Sequence, residues 1–238
     1  MKLFQLMGIN FGSAALPNYQ DAAFKLNFPT KKAGTFTLIG LGGMSKIDQT
    51  DQNDSTGQVY GRYDFKANLG VAGLKHTYIV NPKVYVKSFI SASTQYNGGE
   101  GEFLNTDSVL FMAEREGNTD NQVKAQSIVN YKMNKKNIFQ LGATYTHFNY
   151  NFFYEDDYDN EDGIMTRHTN SKGDADMIQS FLSWKYRITN DLTVVSGVHH
   201  THYLLNNNFK VEPRVGMKWQ LNPRHSLSAG FGMHSKLE

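Results

Sequence analysis

Between residues 211 and 233, apolar side chains recur at every second position, and only four turn-forming residues interrupt the pattern. Val211, Pro213, Val215, Met217, Trp219 and Leu221 share one phase, and Glu212, Arg214, Gly216, Lys218 and Gln220 take the other. After Asn222-Pro223-Arg224-His225, residues Leu227, Ala229, Phe231 and Met233 alternate with Ser226, Ser228, Gly230 and Gly232. Period two sends successive side chains to opposite sides of a strand, so the stretch predicts an antiparallel hairpin with one apolar and one polar face. The apolar face has to be covered by a second sheet or by lipid.

The same design recurs along the chain. Phe139, Leu141, Ala143 and Tyr145 oppose Gln140, Gly142, Thr144 and Thr146, and Ile178, Leu182, Trp184, Tyr186 and Ile188 oppose Gln179, Ser183, Lys185 and Arg187. Weaker versions lie at 24–28, 34–45, 84–94, 123–133 and 192–204, and the phase switches near Gly73 within 66–78, which predicts a bulge there. The count is roughly ten strands of about 10 to 16 residues, against about 5 to 6 in ordinary globular sheets. The connections alternate in length. Short turns are expected at 31–34, 81–83, 134–137, 189–191 and 222–225, and long polar loops at 46–58, 97–120 and 151–174, with a short loop near 206–208. Short turns on one side and long loops on the other are the pattern of an up-and-down transmembrane barrel with periplasmic turns and extracellular loops. Prolines 17, 29, 82, 213 and 223 sit at turns or near strand starts.

Composition agrees without deciding. With 238 residues and 39% hydrophobic content the chain can form one substantial unit, and a net charge of +2 gives no reason to expect a nucleic-acid partner. The absence of cysteine excludes disulfides, thiol nucleophiles and Cys-ligated metals. No stretch approaches the roughly 18 apolar residues of a spanning helix, which is equally true of a β-barrel. At the start, Lys2, an apolar stretch and small residues at 12–15 are arranged as in a signal peptide, but Gln5 and Asn10 interrupt the apolar part. Residues 1–20 are therefore read as a lead-in segment.

Aromatic placement favours lipid over a second sheet. Trp184 and Tyr186 precede the turn at 189, Trp219 precedes the turn at 222 and Phe139 follows the turn at 134. Rings at one level form a membrane-interface girdle, and the opposite stripe, rich in Gly, Ser, Thr, Asn, Gln and Lys, suits a wet lumen. The expected fold is all-β: an antiparallel meander of about ten long strands, part of a large transmembrane barrel and open or incompletely closed.

Residues 15–43 (ALPNYQDAAFKLNFPTKKAGTFTLIGLGG), 70–83 (GVAGLKHTYIVNPK) and 211–236 (VEPRVGMKWQLNPRHSLSAGFGMHSK) resemble the barrel of TonB-dependent outer-membrane receptors of the Bacteroidetes type, which often carry a carboxypeptidase-regulatory-like domain before the plug. The resemblance implies a barrel of about 22 strands closed by a plug. Such receptors import iron complexes, cobalamin or glycans with energy passed through TonB. It thus implies outer-membrane lipid, a plug domain, TonB and a small-molecule or glycan ligand as partners, and no cofactor. No plug, TonB-box-like segment or C-terminal aromatic residue is recognisable, so residues 1–238 are expected to be a partial barrel, an internal piece of a longer receptor. The alternative is a self-contained small outer-membrane barrel with a surface-binding or rim-protease role.

Candidate chemistry is sparse. In YEDDYDNEDG (154–163), Glu155, Asp156, Asp157 and Asp159 could ligate a ligand or a hard cation. Tyr158 and Asn160 nevertheless occupy the first and third positions of a calcium-loop register, so a solvated acidic extracellular loop is the expectation. In HHTH (199–202), His200 and His202 share a strand face and His199 takes the other, so no three converge on a metal. A rim protease would use Asp156, Asp157 and His168, expected in one loop, as a general-base group. Motifs for serine hydrolases, zinc peptidases and phosphate-binding loops are absent, and the chain is not expected to be an enzyme.

Overall fold

Polar side chains open most of the hairpin turns. Asn81 Oδ1 accepts from the backbone N–H of Lys83 and Val84, Asn134 Oδ1 from Lys136 and Asn137, and Asn222 Oδ1 from Arg224 and His225. Thr189 Oγ1 does the same for Asp191 and Leu192. A short side chain that accepts hydrogen bonds two and three residues ahead mimics a turn of backbone. At the first turn Gly34 has φ of 81°, and a Cβ there would collide with the Thr77 carbonyl oxygen, so that position accepts glycine alone without strain.

The computed structural model describes residues 16–53, 55–158 and 164–235. Ten strands follow in order: β1 (Leu16–Pro29), β2 (Thr35–Gln52), β3 (Val59–Asn81), β4 (Val84–Leu104), β5 (Leu110–Lys132), β6 (Asn137–Asp156), β7 (Thr166–Arg187), β8 (Leu192–Tyr203), β9 (Asn208–Asn222) and β10 (His225–Gly232). Each is antiparallel to the next, and they form one sheet in sequence order. Among the described residues β1 and β10 do not pair, so the sheet is an open arc and not a closed ten-stranded barrel. β1 begins inside the stretch expected as lead-in, and the signal-like residues 1–15 lie outside the described residues.

The register supplies the tilt. One row of paired residues runs Phe36, His76, Ser88, Ser127, Ala143, Ser180, His200, Val211. It meets β2 at its second residue but β8 at its ninth. With about 3.3 Å per residue and about 4.8 Å between strands, that climb corresponds to a tilt of roughly 40°, the value of a barrel wall.

Two expectations are corrected. The stretches read as long loops are mostly strand: β3 and β5 have 23 residues each and β7 has 22, and the connections shrink to 53–58, 105–109, 157–165 and 204–207. A backbone ladder closes whatever the side chains are, so strands continue where neither face meets hydrocarbon and the apolar alternation ends. The bulge expected at Gly73 is absent, because Ile39, Gly73 and Ser91 pair in continuous register. Register shifts fall instead at Asp51/Gln52, Ile79/Asn81, Gly101/Glu102, Tyr154/Glu155 and His225/Ser226. What changes at Gly73 is polarity. Leu74 and Tyr78 are apolar on one face, and Val71, Leu69 and Phe65 are apolar on the other.

That reversal organises the longer strands, β2 to β7. Nearer the turns, one face, the outer, carries a belt: Val84 to Ala92 on β4, Val123 to Tyr131 on β5, Phe139 to Tyr145 on β6, Ile178 to Tyr186 on β7 and Val211 to Trp219 on β9. About nine tilted residues suffice to cross hydrocarbon. Nearer the loops the same outer face carries Lys46, Asp48, Asp64, Lys66, Glu100, Arg115, Asp174 and Asp176, and most aromatic residues move to the inner face, with Tyr96 and Phe153 left outside. Among the described residues no second layer supplies a core. Ala113, Ala175 and Met177 are the buried apolar side chains among the described residues, while Leu141 and Leu182 in mid-belt are 56% and 47% exposed.

Candidate functional site

β6 gathers the most distinctive inner surface. Alternation turns Phe148, Tyr150, Phe152 and Tyr154 inward beside Gln122, Asp120, Asn118 and Glu116 of β5. β3 adds Tyr63 and Phe65, and Tyr203 of β8 pairs with Met177 of β7. The Tyr150 ring lies over Gly173, and the Tyr63 ring lies over Gly99, so aromatic faces fill the gaps that glycine leaves in the sheet. Below this band the inner face is polar and cross-linked: Gln140 Nε2 donates to Asn130 Oδ1 at 2.6 Å and Gln126 Nε2 to Thr144 Oγ1 at 3.0 Å. The arrangement is an aromatic vestibule wall above a hydrophilic one, suited to a ligand with flat or apolar parts entering from the loop side.

The acidic segment does not have the expected form. Glu155 belongs to β6 and points to the outer face, 4% exposed. Arg115 reaches its Oε1 through Nε at 2.8 Å and also through Nη2, and Arg167 reaches its Oε2 through Nε at 3.0 Å and Nη2 at 2.8 Å. Burial alone would raise its pKa, but the hydrogen bonds from Arg167 and Arg115 outweigh it and hold the carboxyl below the usual range. Both guanidinium groups also flank the Phe153 ring, at 5.9 and 5.6 Å. Both Glu155 oxygens are committed, so the residue is a strand clamp and not a cation ligand.

Asp156 alternates to the inner face, where His168 Nε2 meets its Oδ1 at 2.9 Å, and this contact with the imidazole lowers the carboxyl pKa against the effect of burial. His168 itself lies in β7, not in a loop. Asp157 is 2% exposed, and its backbone N–H donates to the carbonyl of Ala113 at the β5 bulge, so it is withdrawn from the rim where a general-base group would need it. Asp159 lies outside the described residues.

Near the turns, Phe139, Trp184 and Tyr186 stack as a ribbon. Phe139 and Trp184 centroids are 6.1 Å apart and almost parallel, Trp184 and Tyr186 are 5.3 Å apart, and Tyr131 extends the stack on the β5 side. Trp184 Nε1 donates to Asn137 Oδ1 at 2.9 Å. Trp219 shares the face between Leu192 and Leu227. Farther along the same side, Phe36, His76 and Tyr78 form a second stack. Of the clustered histidines, His200 and His202 share the outer face and His199 turns inward, its Nδ1 3.3 Å from Glu212, which also accepts from Arg214 at 2.7 Å.

The family described as TonB dependent receptor-like, beta-barrel, matches residues 7–234. The chain belongs to this family. No curated protein matches its sequence. Among solved structures, the ferric yersiniabactin uptake receptor of Yersinia pestis is similar with a TM-score of 0.68 and 12% identity, over 91% of this chain and 35% of that one. The ferric-catecholate import receptor of E. coli K12, in its open form, is similar with a TM-score of 0.61 and 7% identity, over 91% of this chain and 40% of that one. At such identities the likeness is one of fold, and this TonB-dependent receptor barrel segment spans well under half the length of either receptor.

Sequence reading missed Arg115, Arg167 and the vestibule aromatics of this receptor wall. The string HFNYNFFY (147–154) does carry a period-two aromatic signal, but its second half lies inside the stretch 151–174 taken for loop. The arginines carry no such signal, because Arg115 lies 40 residues from the carboxylate it serves.

Proposed function

We propose that this chain is a wall of the barrel of a TonB-dependent outer-membrane receptor that imports a scarce nutrient: an iron complex, cobalamin or a glycan. The reversal of polarity along the strands carries the reading. An apolar outer belt of about nine residues per strand fits the hydrocarbon layer, and the loop half, charged outside and aromatic inside, stands in the extracellular space as a capture vestibule. Residues 1–238 then form part of a barrel domain whose remaining strands and plug belong to the same receptor. The segments at 15–43, 70–83 and 211–236 favour the Bacteroidetes type with a carboxypeptidase-regulatory-like domain. Phe139, Trp184, Tyr186 and Trp219 serve as the periplasmic-side girdle.

The test is uptake in the native cell. Receptor found in the outer-membrane fraction, and uptake of one compound from a panel of ferric siderophores, cobalamin and oligosaccharides that requires both this receptor and TonB, is the expected result. Uptake that is unchanged when TonB is deleted would overturn it. Phe148→Ala with Phe152→Ala should weaken binding of that compound by about tenfold, since stacking on each ring contributes about 0.5 to 1.5 kcal/mol.

A further inference from the structure

Around the vestibule, charge is sorted by face. Among the described residues, the lysines and arginines in the loop half of β2 to β7 are Lys46, Arg62, Lys66, Arg115, Arg167 and Lys172, and all alternate to the outer face. Asp51, Glu114, Glu116, Asp120 and Asp156 alternate to the inner face, among the aromatic rings. In the turn half of these strands the inner face is the reverse: it carries Lys75, Lys87, Lys124, Lys132 and Lys185 and no carboxylate. A cargo entering from the loop side therefore meets rings and negative charge first.

Glu116 has the most specific setting. Gly99 pairs with it on the β4 side, and the Tyr63 ring lies across that glycine. Tyr154 pairs with it on the β6 side. Glu116 is half-buried, its carboxylate has no hydrogen-bond or ion-pair partner among the described residues, and it is not one of the polar groups shut away from solvent. An open carboxylate thus stands between two tyrosine rings. One step toward the loops, Glu114 lies directly opposite Asp156, and like charges so placed repel. Those two are engaged, Glu114 by the Tyr158 hydroxyl at 2.8 Å and Asp156 by His168 at 2.9 Å. The Tyr63 and Tyr154 hydroxyls are both held above their ordinary pKa, by burial first and then by the neighbouring carboxylates, as an electronegative site requires.

We infer that this wall holds a protonated amine of the cargo, seated on Glu116 between the Tyr63 and Tyr154 rings. On the import reading, on which this assignment depends, the vestibule faces the incoming compound. An ammonium donates a charge-assisted hydrogen bond to Glu116, meets the faces of both rings and offsets the repulsion between Glu114 and Asp156. A neutral group leaves the inward carboxylates uncompensated, and an anion is repelled. A bare metal ion lacks ligands, because no three His, Asp or Glu side chains among the described residues are grouped to hold one. The aromatic stripe from Tyr154 down to Phe148, about 20 Å at about 3.3 Å per residue, receives the flat or apolar remainder of the cargo.

The experiment is isothermal titration of the intact receptor, purified from the outer membrane, with two matched pairs and one anion. The first pair is a ferric trihydroxamate with a free primary amine and its N-acetyl derivative. The second is the peptide Phe-Lys-Phe-Lys with free and with acetylated amines, and the anion is a ferric tris-catecholate. The amine form of at least one pair should bind about tenfold more tightly than its acetylated form, and the pair that shows the difference identifies the source of the amine. The tris-catecholate should bind more weakly than that amine form. Glu116→Gln should remove most of the preference, Tyr63→Leu with Tyr154→Leu should reduce it severalfold, and Asp48→Asn, on the outer face, should leave it unchanged. Indifference to acetylation in both pairs, binding of neither pair, or a Glu116→Gln variant that behaves like Asp48→Asn would overturn the inference. A receptor whose uptake does not depend on TonB fails the functional reading; TonB-dependent uptake of an anionic compound by a receptor indifferent to acetylation fails the inference alone.

Discussion

The turn half and the loop half of this wall share one hydrogen-bonded ladder and opposite chemistry. On β6 the outer face reads Phe139, Leu141, Ala143, Tyr145 and then His147, Asn149, Asn151, while the inner face reads Gln140, Gly142, Thr144, Thr146 and then Phe148, Tyr150, Phe152. The boundary is marked by Tyr145, whose hydroxyl donates to Asp176 Oδ1 at 2.6 Å. A strand has no means of changing face without a bulge, so the exchange is written in residue choice against constant register. The medium outside therefore sets the pattern: hydrocarbon demands apolar side chains below, and water above permits ion pairs such as Lys46 with Asp48 and Asp64.

The sharpest break in that comparison is a charge placed on either side of the boundary. Leu141→Arg, in mid-belt, should destabilise the assembled receptor in bilayers by about 2 to 4 kcal/mol, and Asn149→Arg, on the same face in the loop half, by close to zero. Urea unfolding in vesicles checks both, and equal effects would refute the belt.

Next in size is the loop-half clamp. Glu155→Gln should cost about 2 kcal/mol, below the full value for a buried pair because both arginines are half exposed. The clamp also makes a pH signature. Glu155 is held below its ordinary value, so its contribution is complete above the unfolded carboxylate pKa and is lost as pH falls through the lowered folded value. Unfolding followed from neutral to acid pH should show that loss in wild type and a flatter profile in Glu155→Gln.

The smallest effects belong to the turn side. Trp184→Phe keeps the stacked ring and removes the hydrogen bond to Asn137, at a cost of about 1 kcal/mol in the same unfolding assay. Asn222→Ala removes the acceptor for Arg224 and His225 and should cost about as much, with the hairpin still formed.

Where the membrane imposes a rule, the fold was legible from residues alone. The stripes at 139–145, 178–188 and 211–221 identify strands and their lipid side, and asparagine at 81, 134 and 222 marks the turns. Where water takes over, the rule lapses. Residues 97–120 look like loop because Gly, Asn and Glu follow no alternation there, although they continue β4 and β5 on both sides of a short connection. Glu155, Asp156 and Asp157 look like one acidic cluster, yet the strand sends Glu155 outward to two arginines and Asp156 inward to His168, and the chain buries Asp157 beside Ala113.

By itself the sequence determined that this chain forms a meander of hairpins with one side made for lipid, because period two and turn chemistry are local properties readable within ten residues. Only the tertiary structure decided that the strands run on past the belt, that their polarity reverses there and that Arg115 and Arg167 converge on Glu155. Those outcomes depend on register between distant strands, which is set by the summed backbone ladder across the sheet and leaves no mark on any single stretch of sequence.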